Sequence, residues 1–275
     1  MLDVLGRDCG PLKEKKLFLL DMDGTIYEGG RLFSGTLPLL NAIRARGGRY
    51  LFLTNNSSAS VEAYVQRLQG MGIEATREDF FTSAQATALV LQQEYPGKLV
   101  YCMGTDSLKE ELQRQGIRLA ERPEPEVAVA MAGFDRQLNY QKLLDMCELL
   151  RRKSVAYLAT NPDWVCPVEG GNFIPDCGAM CQMLEHAVHR LPRVIGKPEP
   201  LMVQYAMAST GFSPAETLMI GDRLYTDIAA GNRAGVDSLC VLSGEATLQD
   251  VRESPDRPTY LLTDVGVLAE IIAEN

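Results

Sequence analysis

Several short segments of this 275-residue chain are apolar at every position, and this pattern restricts the fold more than any other feature. Residues 17–20 read Leu-Phe-Leu-Leu, and residues 50–53 read Tyr-Leu-Phe-Leu. A strand with one face in water alternates apolar and polar residues, whereas a strand buried on both faces of a parallel sheet is apolar throughout. The pattern predicts strands at residues 16–20, 49–53, 98–103, 126–131, 155–159, 193–195, 217–220, 238–242 and 260–262.

The stretches between these strands have helical periodicity. Apolar residues recur three and four positions apart in residues 61–69 and 140–152, as expected for helices that cover a sheet. Strands that alternate with helices predict an α/β fold with right-handed crossovers, here a Rossmann-like, three-layer core around a parallel sheet. The pair Gly29-Gly30 predicts a small hairpin between the first two of these strands.

A second α/β pattern lies within the first. Pro96-Gly97 and Leu191-Pro192 interrupt the periodic segments, because proline and glycine break helices, and the residues between them form a self-contained α/β pattern. We therefore predict a core formed by residues 1–96 and 191–275, with an inserted α/β domain formed by residues 97–190.

Charge and composition disfavour several classes of protein. The formal net charge of −9 argues against a general nucleic-acid binder, since such proteins use basic surfaces to displace counterions from phosphates. No segment approaches the roughly 18 consecutive apolar residues that span a bilayer, and the N-terminal apolar run is too short for a signal peptide. Seven cysteines, an odd number, fit reduced thiols. We therefore expect a cytoplasmic protein without nucleic-acid or membrane partners.

Acidic residues directly follow the first predicted strand. Residues 21–25 read Asp-Met-Asp-Gly-Thr, and two acids after a buried strand are costly unless a cation pairs with them. Residues two apart in an extended backbone point to the same side, so Asp21 and Asp23 can address one ligand together. The alternative interpretation is an Asx-type turn that caps the next element.

Two further loops and one lysine complete the pattern. Residues 54–58 read Thr-Asn-Asn-Ser-Ser and lead into a helix, which makes either an anion cradle or an ordinary helix cap. Residues 221–227 place two acids after a strand, and Lys197, between Gly196 and Pro198, is either a fixed counter-charge or a solvated surface residue. Because ligands of parallel sheets bind beyond the carboxyl ends of the strands, the repeated placement predicts one site.

These side chains together predict phosphoryl transfer. Hard carboxylate oxygens, with no histidine or cysteine in the same loops, favour Mg²⁺ over zinc or copper. Catalysis of phosphoryl transfer requires that the phosphoryl group is held in position and that fixed positive charge lies beside its oxygens. A metal ion, a lysine and a hydroxyl-rich loop together meet these requirements. One carboxylate can attack as the nucleophile, and a second, two residues further on, can protonate the leaving alcohol and then activate water.

The four pieces, in this order, resemble the haloacid dehalogenase superfamily of phosphatases. The matching residues are Asp-x-Asp-Gly-Thr at 21–25, Leu-Thr-Asn at 53–55, Lys197 and Gly-Asp-x-x-x-x-Asp at 221–227. Thr-Asn-Pro-Asp at 160–163 and Gly-Lys-Pro at 196–198 are similar to subfamily IIA, the branch with 4-nitrophenylphosphatases and sugar phosphatases.

The resemblance implies a role for each matching residue. Asp21 is expected to be the nucleophile and Asp23 the general acid and base. Thr54 and the backbone of Asn55 are expected to bind phosphoryl oxygens, while Lys197 neutralises charge.

The resemblance also implies a set of metal ligands. Mg²⁺ is expected to bind the Asp21 carboxylate, the Asp23 backbone carbonyl and the Asp222 carboxylate. Asp227 is expected either to hold a metal-bound water or to orient Lys197.

In the family, an insertion after the second motif is a large α/β cap. The 143 positions between the second motif and the lysine far exceed what one crossover needs. The cap is expected to close over the site, exclude water and read the leaving group, with Asn161, Asp163 and Asp176 as specificity residues within segments 161–163 and 170–179. We leave open a homodimer formed through this cap.

The predicted function is therefore Mg²⁺-dependent hydrolysis of a small phosphorylated metabolite, such as a sugar phosphate or nucleotide, through an aspartyl-phosphate intermediate on Asp21. Two alternatives stay open. A receiver-like signalling module would hold its phosphate as a signal. The presence of Asp23 and of the long insert disfavours this alternative. A catalytically silent phosphate-binding protein is disfavoured because every chemical position is intact.

One cysteine-rich region suggests a competing metal site. Cys166, Cys177 and Cys181 lie near His186 and His189, but their spacing matches no Cys-x-x-Cys zinc knuckle. Cys177, Cys181 and His189 suit helix packing equally well, and we interpret the thiols as inert.

Overall fold

The computed structural model of the chain describes residues 1–168 and 172–274. Within these residues the α-helices are α1 Thr36–Ala45, α2 Val61–Gly70, α3 Ser83–Glu94, α4 Asp106–Arg114, α5 Tyr140–Leu150, α6 Cys177–Val188, α7 Leu201–Thr210, α8 Ala229–Ala234, α9 Leu248–Glu253 and α10 Val265–Ala273. The strands are β1 Leu17–Leu20, β2 Tyr27–Glu28, β3 Arg31–Leu32, β4 Arg49–Thr54, β5 Phe80–Thr82, β6 Leu99–Met103, β7 Arg118–Ala120, β8 Val127–Ala132, β9 Ala156–Ala159, β10 Val165–Val168, β11 Asn172–Pro175, β12 Arg193–Val194, β13 Thr217–Gly221, β14 Asp237–Val241 and β15 Tyr260–Leu262.

The chain divides into two compact units. The first contains residues 1–54, 65–81 and 197–275, and the second contains residues 55–64 and 82–196. Each unit has its own parallel sheet and its own buried side chains.

The first unit is built on a six-stranded sheet with the order β15-β14-β13-β1-β4-β5. Strand β1 pairs in parallel with β13 on one side and with β4 on the other, so that Leu20 faces both Ile220 and Phe52. All four residues of β1 are buried, as its unbroken apolar sequence predicts. The carboxyl ends of β13, β1 and β4 therefore lie side by side.

The N-terminal segment contacts the last strand of this sheet. The Val4 amide donates to the Leu261 carbonyl at 3.0 Å, and the Leu261 amide donates to the Asp3 carboxylate at 3.0 Å. Arg7 forms an ion pair with the same carboxylate at 2.7 Å. Both backbone groups of Leu261 are thus bonded to this segment.

The second unit is built on a five-stranded parallel sheet with the order β12-β9-β8-β6-β7. Helices α5 and α6 bury Met146, Leu149 and Leu184 against residues of β8 and β9. A separate antiparallel hairpin is formed by β10 and β11.

The structure confirms the predicted α/β class. Each of the nine predicted strands is present, with both ends within one residue of the prediction. The predicted hairpin at Gly29-Gly30 is the antiparallel pair β2 and β3. The sequence did not predict β5, β7, β10 or β11: the first two are only three residues long, and Pro167 and Pro175 argue against a strand.

The observed division of the chain differs from the predicted boundaries. Residues 97–190 lie within the second unit, but residues 55–64 and 82–96, predicted to belong to the core, lie there too. Their contacts explain this: α3 packs against α4, and the Ser57 hydroxyl lies 2.9 Å from the Thr160 hydroxyl. Proline and glycine mark where a helix ends, and they do not show which sheet that helix covers.

Among the described residues, no helix is both long enough and apolar enough to cross a membrane.

Candidate active site

Two acids of the first unit follow neighbouring strands. Asp21 comes directly after β1 and Asp222 directly after β13. The Asp21 amide donates to the Ile220 carbonyl at 2.9 Å, which continues the pairing of the two strands by one residue. The parallel register therefore brings both carboxylates to the same edge of the sheet, as the strand-end rule predicts.

Lys197 lies between two of the acids. Its ammonium donates to Asp21 Oδ1 at 2.5 Å, to Asp227 Oδ1 at 2.6 Å and to the Leu53 carbonyl at 3.1 Å. The side chain is only 2% exposed. These bonds raise the pKa of Lys197 although burial lowers it, because two nearby carboxylates favour the charged amine. Lys197 is therefore a fixed positive charge and not a solvated surface lysine.

Three carboxylates converge beside this lysine. Oxygens of Asp21, Asp222 and Asp227 all lie within 4.8 Å of one another. Burial, opposed by Lys197, raises the pKa of Asp21 well above its usual value, and the charges of Asp227 and Asp222 raise it further. Like charges held this close are unfavourable without a cation.

Asp222 is held by its neighbours in a defined orientation. Its Oδ2 accepts a hydrogen bond from the Glu245 amide at 2.8 Å, and its Oδ1 lies 3.4 Å from the Thr25 hydroxyl. Gly24 has a φ of +82°, and a Cβ atom at this position would run into the Asp222 carboxylate. Burial and the neighbouring Asp227 raise the pKa of Asp222 to about 7.

Asp227 holds the other side of Lys197. It lies in a π-helical turn, Leu224–Ile228, and its buried carboxylate also accepts from the Arg223 amide at 3.2 Å. Of its two predicted roles, orienting Lys197 is the one that these hydrogen bonds support.

Asp23 lies apart from the three carboxylates and has different partners. The Tyr27 hydroxyl donates to Asp23 Oδ2 at 3.1 Å, and Arg67 lies 3.8 Å from Asp23 Oδ1. Burial raises the pKa of Asp23, while Arg67 and the Tyr27 bond lower it. The side chain remains 41% exposed, so it is accessible for proton exchange.

The two residues predicted to bind phosphoryl oxygens have separate environments. Thr54 is the last residue of β4 and is buried at the carboxyl end of that strand, in the first unit. Asn55 belongs to the second unit, where its side-chain amide donates to Asp163 at 2.8 Å and its carbonyl accepts from the Ser83 hydroxyl at 2.7 Å. Their assignment to phosphate stays a prediction.

The three predicted specificity residues lie together in the second unit. The Asn161 amide donates to Asp163 at 2.9 Å and to Asp176 at 3.0 Å, and Asp176 caps α6 through the Cys177 amide at 2.5 Å. All three are buried. Their role in specificity stays a prediction, and Gly170 and Gly171 of the predicted specificity segment lie outside the described residues.

Sequence reasoning missed a fourth loop of the site. The Ser243 hydroxyl donates to the Gly24 carbonyl at 2.8 Å, and the Glu245 amide contacts Asp222. The sequence could have predicted this loop, because residues 243–245 read Ser-Gly-Glu and directly follow the predicted strand 238–242. Tyr27 and Arg67, the partners of Asp23, carried no such positional signal.

The cysteine-rich region is a packing region. Cys177 and Cys181 lie one turn apart on α6, both buried, with their sulfurs 3.9 Å apart. Among residues 1–168 and 172–274, the acids Asp21, Asp222 and Asp227 form the one cluster with metal-ligand geometry. Cys177 and Cys181 are core residues, in agreement with the packing interpretation, whereas Cys166 is only partly buried.

Comparisons with known proteins identify the family. The model of haloacid dehalogenase-like hydrolases matches residues 18–118, and a related model of the same hydrolases matches residues 194–268. An acid sugar phosphatase of Staphylococcus aureus is 34% identical over 263 residues, covering 96% of this chain and 99% of that protein.

Solved structures agree with this assignment. The 4-nitrophenylphosphatase of Thermotoga maritima superposes with a TM-score of 0.90 at 34% identity, covering 95% of this chain and 99% of that one. The glycerol phosphate phosphatase of Mycobacterium tuberculosis, solved with magnesium, gives 0.87 at 34% identity, covering 94% of this chain and 77% of that one.

This chain is a haloacid dehalogenase-like hydrolase. Within that superfamily it belongs to subfamily IIA, the branch of the 4-nitrophenylphosphatases and sugar phosphatases, as its motifs predict.

Proposed function

We propose that the chain hydrolyses small phosphate monoesters in a Mg²⁺-dependent reaction with Asp21 as the nucleophile. The observation that carries the proposal is the convergence of Asp21, Asp222 and Asp227, two of which, Asp21 and Asp227, are bonded to the ammonium of Lys197. A carboxylate nucleophile beside a fixed positive charge and further acidic ligands is what a phosphoryl group requires.

The first half of the reaction transfers the phosphoryl group to the protein. An Asp21 carboxylate oxygen attacks phosphorus, and the bond from phosphorus to the leaving alcohol breaks. The proton of the Asp23 carboxyl group moves to that leaving oxygen. Burial raises the pKa of Asp23, which is the direction that a proton-donating role requires.

The second half returns the enzyme to its starting state. The Asp23 carboxylate takes a proton from water, and the water oxygen attacks phosphorus. The bond from phosphorus to the Asp21 oxygen breaks, which releases inorganic phosphate and restores the carboxylate. Lys197 stays bonded to Asp21 and Asp227 and neutralises the charge that builds up on the phosphoryl oxygens.

The donor set fits a hard divalent cation. Lys197 supplies one positive charge to a group of three carboxylates, and their oxygens are the ligands that Mg²⁺ prefers. Asp21, the Asp23 carbonyl and Asp222 would hold the ion. When bound, it supplies further positive charge to the phosphoryl oxygens.

The substrate is a small phosphorylated metabolite. The relatives are named for sugar phosphates, glycerol phosphate and 4-nitrophenyl phosphate, which share a phosphate monoester and differ in the leaving alcohol. We propose that Thr54 and Asn55 bind the phosphate. We also propose that the second unit acts as a cap that selects the alcohol through the region of Asn161, Asp163 and Asp176. We further propose that two copies of the chain form a homodimer through this unit.

Turnover of 4-nitrophenyl phosphate with Mg²⁺ and with EDTA tests the proposal. We expect many turnovers per protein molecule with Mg²⁺ and none with EDTA. A single stoichiometric phosphorylation without release would instead indicate a receiver-like module. A protein inert toward this ester and toward a panel of sugar phosphates, glycerol phosphate and nucleotides would indicate a silent binding protein.

A further inference from the structure

The loop that follows β14, residues 243–246, contacts both acidic loops of the site. The Ser243 hydroxyl donates to the Gly24 carbonyl in the first acidic loop at 2.8 Å. The Glu245 amide donates to Asp222 Oδ2 at 2.8 Å, and the Ala246 amide donates to the Asp222 carbonyl at 3.1 Å. The loop therefore joins the segment that carries Asp23 to the segment that carries Asp222.

An ion pair reinforces this connection from the outside. Arg223, the residue after Asp222, places its Nε 2.8 Å from Glu245 Oε2. The two neighbours Asp222 and Arg223 are thus both bonded to Glu245, one through its backbone amide and the other through its carboxylate.

The contacts fix the Asp222 carboxylate in one orientation. One of its oxygens is bonded by the Glu245 amide, and the other lies 3.4 Å from the Thr25 hydroxyl. A backbone amide is a rigid donor, so it limits rotation of the short aspartate side chain. Metal ligands that are held in this way bind with less reorganisation, and loss of such support typically costs 10- to 100-fold in metal affinity.

Gly244 is the tightest point of the loop. A Cβ atom at this position would meet the Asp222 carboxylate and would also lie 2.6 Å from the Asp222 Cβ atom. Because the Asp222 Cβ atom is itself too close, rotation of the carboxylate alone does not relieve the clash. As long as Asp222 keeps its present position, only glycine fits at residue 244.

We propose that the 243–246 loop is a positioning element that sets the cation affinity of the site by orienting Asp222. The inference rests on the proposed function, since it takes Asp222 as a cation ligand. None of the loop residues is assigned a contact with substrate. Ser243, Gly244 and Glu245 act through Asp222 and Gly24.

Gly244→Ala is the direct test, with Gly70→Ala as its matched control. Gly70 ends α2, and a Cβ atom there meets nothing within 4 Å. The readout is the Kd for Mg²⁺ by calorimetry on the substrate-free protein, together with the Tm in EDTA. We expect Gly244→Ala to weaken Mg²⁺ binding by about tenfold or more, with Gly70→Ala unchanged. A folded Gly244→Ala variant with wild-type Mg²⁺ affinity overturns the proposal.

Ser243→Ala provides a second test that needs no steric clash. Loss of the hydroxyl removes the bond to Gly24 and should weaken Mg²⁺ binding by about fivefold, whereas Ser243→Thr keeps the hydroxyl and should restore it. If Gly244→Ala does not fold, this pair decides the question. Equal Mg²⁺ affinity in Ser243→Ala and the wild type then contradicts the proposal.

Asp222→Asn separates this inference from the proposed function. If Asp222→Asn weakens Mg²⁺ binding but Gly244→Ala does not, the loop has no positioning role and the metal assignment stands. If Asp222→Asn leaves Mg²⁺ binding unchanged, Asp222 is not a ligand, and the metal assignment and the loop proposal both fail.

Discussion

Both units of this protein bury a cluster of polar side chains just beyond a strand end, but the two clusters have opposite partners. In the first unit, Asp21, Asp222 and Asp227 face one another, with Lys197 bonded to two of them. In the second unit, carboxylates face amide donors, as Asp163 does with the two side chains of Asn55 and Asn161. Acids at a strand end therefore do not by themselves define a catalytic site.

The difference lies in what each cluster still lacks. In the second cluster the side-chain amide of Asn161 donates to Asp176, and Asp176 also caps a helix. The first cluster places like charges within 4.8 Å of one another, and the pKa of Asp222 rises to about 7 as a result of burial and the neighbouring Asp227. We propose that a cation and a phosphate complete the first cluster, whereas the carboxylates of the second already accept hydrogen bonds from amide groups.

The largest expected effect separates the two clusters directly. Asp21→Asn should lower turnover of 4-nitrophenyl phosphate by at least about 10³-fold, because it removes the nucleophile with little change in shape. Asp163→Asn makes the same chemical change in the second cluster and should retain most of the activity. The comparison fails if the two variants lose activity equally while both remain folded.

Asp23→Asn sharpens the assignment of roles within the first unit. It should slow the hydrolysis of sugar phosphates by about 10²-fold or more, because their alkoxide leaving groups need a proton. The loss on 4-nitrophenyl phosphate should be smaller, since nitrophenolate leaves without one. Equal losses of kcat on the two substrates would count against Asp23 as the general acid.

The stability of the metal-free protein should depend on pH through the first cluster. The folded-state pKa of Asp222, about 7, lies above its ordinary value of 3.8. A carboxyl group whose pKa is raised in the folded state stabilises that state fully when the pH is below its ordinary pKa. This stabilisation is lost as the pH rises through the folded-state pKa of about 7. In EDTA the Tm should therefore fall between pH 6 and pH 8, and Asp222→Asn should flatten this slope.

Added Mg²⁺ should reverse that trend. The ion binds the deprotonated carboxylates, so protons compete with it at low pH. The increase in Tm on adding Mg²⁺ should be larger at pH 8 than at pH 6. An increase that does not vary with pH would argue that the ion binds elsewhere.

The smallest expected effect on activity comes from the second cluster. Asn161→Ala removes the donor to Asp163 and Asp176 and should cost about 2–3 kcal/mol of unfolding free energy. Urea unfolding measures this cost, and kinetics with several phosphate esters measure any change in preference. Unaltered stability with a changed substrate preference would favour the predicted specificity role over a structural one.

The sequence predicted the first unit better than the second for a physical reason. Buried parallel strands are apolar at every position, so β1, β4 and β13 and the residues that follow them could be read directly. For Lys197, its place between glycine and proline left two interpretations open, and only its bonds to Asp21 and Asp227 decided between them. The contacts of Tyr27 and Arg67 with Asp23 depend on packing between distant segments, which no local pattern records.

The second unit shows the opposite limit. Asn161 and Asp163 follow β9, and by position alone they resemble the acids that follow β1. Only the structure shows that the Asn161 amide donates to both Asp163 and Asp176. A strand-end position predicts where a ligand would bind, and the partners of the side chains show whether one is needed.

The N-terminal segment has a consequence for how this protein can associate. The free backbone groups of an edge strand can pair with a strand of a neighbouring molecule, which is a common route to aggregation. At β15 the amide and the carbonyl of Leu261 are already bonded to Asp3 and Val4. A second copy therefore cannot pair its backbone with β15 at Leu261.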